Sequence, residues 1–293
     1  MIVVSNTFIP QVAKKVKKNQ KPIATTSAGD VAYYVNFSPQ ALKKKAYFDE
    51  SDEEEDMEDL FGEDVAEGKN QVVRSFTGAD WQPVFNDRMT IFIAGTPGAG
   101  KSYLAKQMIN ILPTSYDILL FTALEEKDGN FDDLGKDRIF KIKMTPDVLS
   151  KISLAEIRKR SRSPQTILLF DDVDKIRDPK VQTLTFAIMN DALANGRGHE
   201  KHDGDADLHI ICTSHSLNDY QKTKYTFENS NYVALFPGTT PPLQMYRMFD
   251  KLGLDKTLCQ KMIRLGRRQE IRSILIHKVV PMYMIYGNRI MLL

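Results

Sequence analysis

An apolar run, a glycine-rich turn and a helix-forming stretch follow one another between residues 89 and 112, and this order restricts the fold more than any other feature. The apolar run covers residues 89–94, and the helical pattern covers residues 103–112. The turn reads Gly-Thr-Pro-Gly-Ala-Gly-Lys-Ser, which fits the phosphate-binding pattern G-x-x-x-x-G-K-[ST]. A strand, this loop and a helix in that order are the context the pattern requires, so we predict a nucleoside triphosphate site.

The chemistry of the loop follows from its residue types. Glycines let successive backbone N–H groups turn inward around phosphate oxygens at the positive end of a helix. Lys101 is expected to reach the β- and γ-phosphates, and the Ser102 hydroxyl to ligate Mg²⁺. The residues predicted to bind the nucleotide are Gly95, Thr96, Pro97, Gly98, Ala99, Gly100, Lys101, Ser102 and Tyr103.

A second apolar strand, predicted over residues 166–170, ends in two acids. Carboxylates at the carboxyl end of a buried strand lie at the sheet edge where α/β proteins bind ligands. We expect Asp171 to hold Mg²⁺ and Asp172 to orient the attacking water, although aspartate is one methylene shorter than the glutamate common at this place. Asp174 is interpreted as a helix N-cap.

The strand predicted over residues 208–212 ends in Thr213, Ser214 and His215. If this strand lies between the two motif-bearing strands, Thr213 and Ser214 can sense the γ-phosphate, while His215 contacts nucleic acid or caps the next segment. Arg197 stands between two glycines at a helix end. It fits either an arginine finger for a neighbouring subunit or a solvated residue beside a glycine cap.

From about residue 71 strands and helices alternate, which predicts an α/β fold with a mainly parallel sheet covered by helices on both faces. Residues 1–70 are predicted to be a flexible, charged region, followed by one P-loop domain over residues 71–293. Further strands are expected at 117–121, 138–144, 232–236, 271–277 and 282–286. Further helices are expected at 146–160, 181–195, 242–252 and 255–265.

Charge is distributed unevenly along the chain. Eleven of the sixteen residues from Asp49 to Asp64 are acidic, and without them 40 basic residues face 27 acidic ones. A basic body favours a polyanionic partner, with the acidic run acting as a shield or a spacer. Basic residues at 158–162, and Arg264 with Arg268, are candidates for phosphate contacts or for solvated faces.

No apolar stretch approaches the ~20 residues that span a bilayer, and the two cysteines form no disulfide framework. We therefore expect an intracellular protein that does not enter a membrane.

With these motifs in order, residues 85–293 resemble the genome-packaging ATPases of large DNA viruses, the poxvirus-type members of the FtsK–HerA superfamily. The resemblance includes Gly196, Arg197 and His199 before the sensor strand, and the closing strands near residues 276–283. It departs from the family at Gly198, at the polar loop 200–207 and in the missing sensor glutamine. It implies a RecA-like fold and a ring-forming, DNA-translocating ATPase that threads double-stranded DNA into a capsid, independently of sequence.

Other functions stay open at the level of the sequence. A helicase or AAA+-type remodeller shares this P-loop, although the chain after residue 232 is short for a helical lid. A nucleotide or small-molecule kinase would use the basic residues 158–162 as a phosphate lid. A GTPase is disfavoured because no Asn-Lys-x-Asp motif occurs, and a scaffold that binds no nucleotide is disfavoured because Lys101, Ser102 and Asp171 are all present.

Overall fold

The structure is a computed structural model, and it describes residues 8–13, 20–26, 31–36, 75–77, 82–85, 88–122, 131–135, 137–160, 165–197, 207–215, 220–279 and 282–293. The strands are β1 (Phe8–Ala13), β2 (Gln20–Thr25), β3 (Val31–Asn36), β4 (Ser75–Thr77), β5 (Gln82–Pro83), β6 (Thr90–Ala94), β7 (Asp117–Thr122), β8 (Ile139–Lys141), β9 (Gln165–Asp171), β10 (Asp207–Ser214), β11 (Tyr232–Leu235), β12 (Ile274–His277), β13 (Tyr283–Tyr286) and β14 (Arg289–Leu292). The helices are α1 (Lys101–Ile111), α2 (Pro146–Leu149), α3 (Leu154–Arg160), α4 (Pro179–Asn195), α5 (Tyr220–Asn229), α6 (Pro242–Lys251) and α7 (Lys256–Arg267). Two short 3₁₀ turns cover Asp132–Leu134 and Val173–Lys175.

The chain forms two compact units, one of residues 1–86 with 279–293 and one of residues 87–278. In the first unit β1, β3, β2 and β5 form an antiparallel sheet in that order, and β13, β14 and β4 pair antiparallel. Residues 1–70 were expected to be mostly flexible, with residues 31–37 as a strand or a docking segment. Strands β1 to β3 lie within this region, and the compact units divide after residue 86. The acidic run 49–64 lies outside the described residues.

The second unit is built on a seven-stranded sheet in the order β12, β11, β6, β10, β9, β7, β8. The strands from β11 to β8 run parallel, and β12 pairs antiparallel with β11. Strand β10 therefore lies between β6, which leads into the P-loop, and β9, which ends in the two acids. This order confirms the predicted α/β, RecA-like fold class.

The central strands are buried because their residues are apolar on both faces of the sheet. All five residues of β6 are buried, as are Thr166 to Asp171 of β9 and Leu208 to Ser214 of β10. Phe121 and Phe170 stack with their ring centroids 4.6 Å apart. A rigid sheet core of this kind fixes the carboxyl ends of β6, β9 and β10 side by side.

Three helical predictions differ from the structure. The helix expected over residues 146–160 is two helices, because the chain turns at residues 150–153 and the Ser153 hydroxyl accepts from Glu156 N to start α3. Helix α4 begins at Pro179 with Asp178 as its N-cap, so Asp174 does not cap it. Helix α5 was not predicted. Among the residues that the structure describes, no helix has the length and apolar character needed to span a bilayer.

Candidate nucleotide-binding site

The P-loop connects β6 to α1 through two left-handed glycines. Gly98 has φ 77° and Gly100 has φ 101°, values that cost a side chain energy and that glycine adopts readily. Gly100 occupies the N-cap position of α1 and supplies no side-chain hydrogen bond to the first turn. The amide groups at the start of α1 are thus left for an anionic ligand, which is the arrangement that binds phosphate at a helix N-terminus.

The first glycine of the loop is needed for space rather than for its φ angle. A Cβ atom on Gly95 would lie 2.6 Å from Cδ2 of Phe236, whose ring is buried beneath the loop. The Gly95 N–H donates to the Ser214 carbonyl at 3.1 Å. The start of the loop is therefore held between the Phe236 ring and the end of β10.

Lys101 lies in a cluster of polar groups at the carboxyl edge of the sheet. Its Nζ is 3.8 Å from Oδ1 of Asp172, 3.3 Å from Nδ1 of His215 and 3.4 Å from the Thr96 carbonyl. Burial lowers the pKa of Lys101, and Asp172 offsets part of this effect. The lysine that is expected to hold the phosphates is here paired with the acid that is expected to act on water.

The hydrogen bonds of His215 indicate which nitrogen of the neutral ring carries the proton. Its Nε2 lies 2.7 Å from Oδ2 of Asp172. Because the Lys101 ammonium can only donate, the neutral ring accepts at Nδ1 and carries its proton on Nε2, which donates to Asp172. A hydrogen-bonded relay thus runs from Lys101 through His215 to Asp172.

Thr213 joins the two adjacent acids. Its hydroxyl lies 2.9 Å from Oδ1 of Asp171 and 3.2 Å from Oδ1 of Asp172, and it accepts from Asp172 N at 2.9 Å. One hydroxyl proton can serve only one of the two carboxylates at a time. Burial, followed by the charge of Asp172, raises the pKa of Asp171 to about 6, because two buried carboxylates so close cannot both ionise freely.

Ser214 and Asp174 hold the backbone of the same segment. The Ser214 hydroxyl donates to Oδ2 of Asp174 at 3.2 Å, and His215 N donates to the same oxygen at 3.1 Å. The other oxygen, Oδ1 of Asp174, is buried without a hydrogen-bond partner. Asp174 thus positions His215, a role that differs from the N-cap expected from the sequence.

Asp172 has φ 49° and ψ 36°, the left-handed region that non-glycine residues rarely occupy. Such a conformation costs energy and persists where surrounding contacts determine it. Here its N–H bonds Thr213 and its carboxylate bonds His215. In this backbone conformation the Asp172 carboxylate lies beside Lys101 rather than over the 3₁₀ turn Val173–Lys175.

The remaining P-loop side chains differ in exposure. Ser102 and Thr96 are half-buried, whereas Pro97 is exposed. The Tyr103 side chain is 60% exposed, and its hydroxyl accepts from Gln107 Nε2 at 3.3 Å along α1. Tyr103 therefore points to the surface of α1.

The residues present fit a magnesium ion. Mg²⁺ prefers oxygen donors, keeps several waters and needs only one or two protein ligands besides the phosphates. Ser102 offers a half-buried hydroxyl and Asp171 a buried carboxylate, which are oxygen donors of this kind.

Arg197 lies far from the P-loop of its own chain. Leu208 N, at the start of β10, donates to the Gly196 carbonyl at 2.9 Å, whereas Ser214 at the other end pairs with Ala94. The six steps along the strand from Leu208 to Ser214 span about 20 Å, at 3.3 Å per residue. The exposed Arg197 thus sits at the opposite edge of the sheet. Gly198 and His199, the rest of the element, lie outside the described residues.

Two other arginines hold the segment that carries Arg197. Arg88 is buried and donates to the carbonyls of Leu208, Leu193 and Ala192, the last two at the end of α4. Burial, with the charge of Arg197 next, lowers the pKa of Arg88 to about 10. Arg158 donates to the Arg197 carbonyl at 3.0 Å. The backbone beside Arg197 is therefore fixed from two sides.

Sequence reasoning placed the P-loop residues, Asp171, Asp172 and Thr213 together, and the structure brings them together. It missed the contact of His215 with Asp172 and the support given by Phe236. The signal for His215 was its position next to the predicted sensors. Phe236 carried no signal, because only the folded chain brings it beneath Gly95.

Two comparisons relate the sequence of this chain to known proteins. Residues 91–228 match the family described as ATPase family associated with various cellular activities (AAA), a little under half of the chain. The chain is 25% identical over 281 residues to uncharacterized protein V3 of Sputnik virophage, covering 93% of this chain and 96% of that protein.

Two solved structures are similar at low identity. The genome packaging NTPase B204 from Sulfolobus turreted icosahedral virus 2, in complex with AMPPCP, has a TM-score of 0.40 and 16% identity over 66% of this chain and 92% of that chain. The pCW3 conjugation coupling protein TcpA with ATPγS has a TM-score of 0.44 and 10% identity over 92% and 77%. The P-loop geometry, the strand order and the AAA match together identify the chain as a P-loop ATPase with a RecA-like α/β domain.

Proposed function

We propose that this ATPase uses hydrolysis to move double-stranded DNA without regard to sequence, and that it packages a viral genome into a capsid. The observation that carries the proposal is the position of Arg197. Arg197 lies about 20 Å from its own P-loop, and Arg158 holds its carbonyl. As an arginine finger it therefore completes the site of a neighbouring copy and not its own. A ring of subunits that complete one another's sites suits a processive motor.

The residues of the site divide the chemical work. Lys101 leaves Asp172 and His215 to bind the β- and γ-phosphates, and Mg²⁺ held by Ser102 and Asp171 would neutralise charge on the phosphate oxygens. The release of Lys101 leaves the Asp172 carboxylate free to accept a proton from the attacking water. His215 keeps that carboxylate oriented through the 2.7 Å contact from Nε2.

The polar residues at the end of β10 have distinct roles in this scheme. Thr213 contacts both acids, so a change in their charge state is transmitted to β10. Ser214 is bound to Asp174 and holds the segment in place. We assign γ-phosphate sensing to Thr213 acting with His215, and a positioning role to Ser214.

Charge and similarity support DNA as the substrate of movement. Outside the acidic run the chain carries 40 basic and 27 acidic residues, which favours a phosphate backbone. The similarity to a virophage protein extends over 93% of the chain and supports a viral origin. Capsid proteins as partners, and a place of action inside an infected cell, follow from the resemblance to packaging ATPases.

Displacement of a third strand from a DNA triplex tests translocation directly. The full chain, ATP and Mg²⁺ are added to a long duplex that carries a fluorescent third strand at one end. We expect ATP-dependent release by the wild type and none by Lys101→Ala. Hydrolysis without release on any duplex would contradict translocation.

A nucleic-acid or protein remodeller of the AAA type is the second candidate, favoured by the match over residues 91–228. A remodeller of single-stranded substrates would be stimulated more by single strands than by duplex of equal length. The proposed motor predicts the reverse order of stimulation.

A further inference from the structure

A groove of about 380 Å³ lies between α6 and α7, and none of the residues that line it belongs to the nucleotide site. We call it the arginine groove. It is lined by Pro242, Tyr246, Gln260, Ile263, Arg264, Arg267 and Arg268. Its lining contains three guanidinium groups and no carboxylate.

The arginines share one face because their spacing matches the helical repeat. Arg267 and Arg268 follow Arg264 at the i+3 and i+4 positions of α7 and its end. Arg264 and Arg267 form no ion pair within the described residues, and Arg268 lies 3.8 Å from an exposed Glu270. Lys256 adds a cation, since its Nζ lies 5.8 Å from the centre of the Tyr246 ring. The groove thus concentrates positive charge, of which only that of Arg268 is paired with a carboxylate among the described residues.

Helix α7, which forms one side of the groove, is connected to the P-loop through close contacts with residues 236–238. A Cβ atom on Gly266, between the arginines, would lie 2.5 Å from Gly238 N and 2.7 Å from the Pro237 backbone. Phe236, the preceding residue, packs beneath Gly95 and approaches Gly100. The Thr240 N–H closes the turn by donating to the Phe236 carbonyl at 2.8 Å. A shift of α7 is therefore transmitted to the loop through two residues.

From these observations we propose that the arginine groove binds the phosphodiester backbone of double-stranded DNA and that its occupancy is communicated to the P-loop through Pro237 and Phe236. The proposal rests on the proposed function, since it names the surface that the motor uses. Guanidinium groups in a fixed row suit successive phosphates, and Tyr246 with Pro242 supplies an uncharged floor. Such contacts position DNA without reading its sequence.

Binding of a fluorescent 40-base-pair duplex to the full chain, measured by anisotropy across a salt series, tests the groove. The variant is Arg264→Gln with Arg267→Gln, and the control is Lys143→Gln with Lys151→Gln, which removes the same charge from two exposed lysines elsewhere. We expect the variant to lose roughly 10- to 100-fold in affinity at 0.1 M salt and about two in the salt slope, at ~0.9 per lost phosphate contact. The DNA concentration that half-maximally stimulates ATP hydrolysis should rise in parallel, and the control should behave as wild type.

The outcomes separate this inference from the function on which it rests. A variant that binds duplex like the wild type would overturn the groove and leave the motor intact. Displacement of DNA by tripolyphosphate at equal phosphate concentration would show a site for free phosphate compounds and would also overturn it. Failure of the wild type to bind duplex at any salt would overturn the proposed function itself.

Discussion

His209 ties three neighbouring strands together at the edge of the sheet opposite the nucleotide. Its Nδ1 accepts from Met89 N at 3.0 Å, so the neutral ring donates from Nε2 to Oε1 of Gln165 at 2.8 Å. The ring stacks on Tyr116 with centroids 5.5 Å apart. Burial lowers the pKa of His209 to about 4, against an ordinary 6.5. The folded chain therefore keeps this ring neutral at pH values where the unfolded chain protonates it.

The consequence for stability has a definite sign and size. Above pH 6.5 both states carry a neutral ring, and the stabilisation is complete. As the pH falls from 6.5 toward 4 only the unfolded state binds a proton, so folding loses stability across that range. A pKa difference of this size corresponds to about 2 kcal/mol lost by pH 5 and about 3 kcal/mol by pH 4, at 1.36 kcal/mol per tenfold change in proton affinity.

His209→Gln removes the titrating group while keeping an acceptor and a donor. We expect the variant to be about 1–2 kcal/mol less stable than wild type at pH 7, because the stacked ring leaves a gap. By pH 4.5 it should be as stable as wild type or more so. Thermal midpoints of the full chain from pH 7.5 to 4.5 measure the difference, in which other titrating groups cancel. At 2–4 °C per kcal/mol, the wild type should lose about 4–8 °C relative to the variant by pH 5.

His277→Gln is the control, because that ring on β12 is half-buried and lies 4.7 Å from the centroid of Tyr232. This variant measures the effect of removing a histidine ring from another strand of the same unit. Parallel profiles for His209→Gln and wild type would refute the reasoning.

Four further predictions concern the site. Asp172→Asn should bind ATP nearly as well as wild type while turnover falls at least 100-fold; isothermal titration and steady-state assays separate the two, and wild-type turnover would contradict its role as base. His215→Gln should lower kcat about tenfold or more. Its KM should stay the same or fall, because Lys101 loses one of the groups that compete with the phosphates. An equal change in kcat and KM would indicate a merely structural role for His215. Arg197→Ala should bind ATP but not hydrolyse it, and mixing it with Lys101→Ala should restore activity; absence of rescue in mixed assemblies would argue against a shared site. Gly95→Ala should lower stability by about 1–3 kcal/mol, because its Cβ would lie 2.6 Å from Phe236; unchanged unfolding in urea would contradict the close packing.

Local patterns were sufficient to predict the nucleotide-binding half of the domain. The P-loop motif and the apolar strand before Asp171 are each contiguous in sequence, so these elements were predictable. The sequence left open whether β10 lies between β6 and β9, and the observed strand order places it there.

The features that were not predicted depend on contacts distant in sequence. His215 meets Lys101 only because β10 and β6 are neighbours. Phe236 meets Gly95 because β11 pairs with the other side of β6. The single helix expected over residues 146–160 was wrong because the Ser153 hydroxyl accepts from Glu156 N, a bond that starts a second helix instead of continuing the first. Residues 31–37 had been interpreted as a strand or a docking segment, and β3 covers Val31–Asn36. Strands β1 and β2 were not predicted, because each contains a proline and neither shows sustained alternation.

The steady-state ATPase rate of the full chain with and without long duplex DNA, across a salt series, tests the central claim most directly. A DNA-driven motor predicts strong stimulation at low salt that fades as salt screens the phosphate contacts. Turnover that is robust but indifferent to DNA at every salt concentration would contradict it.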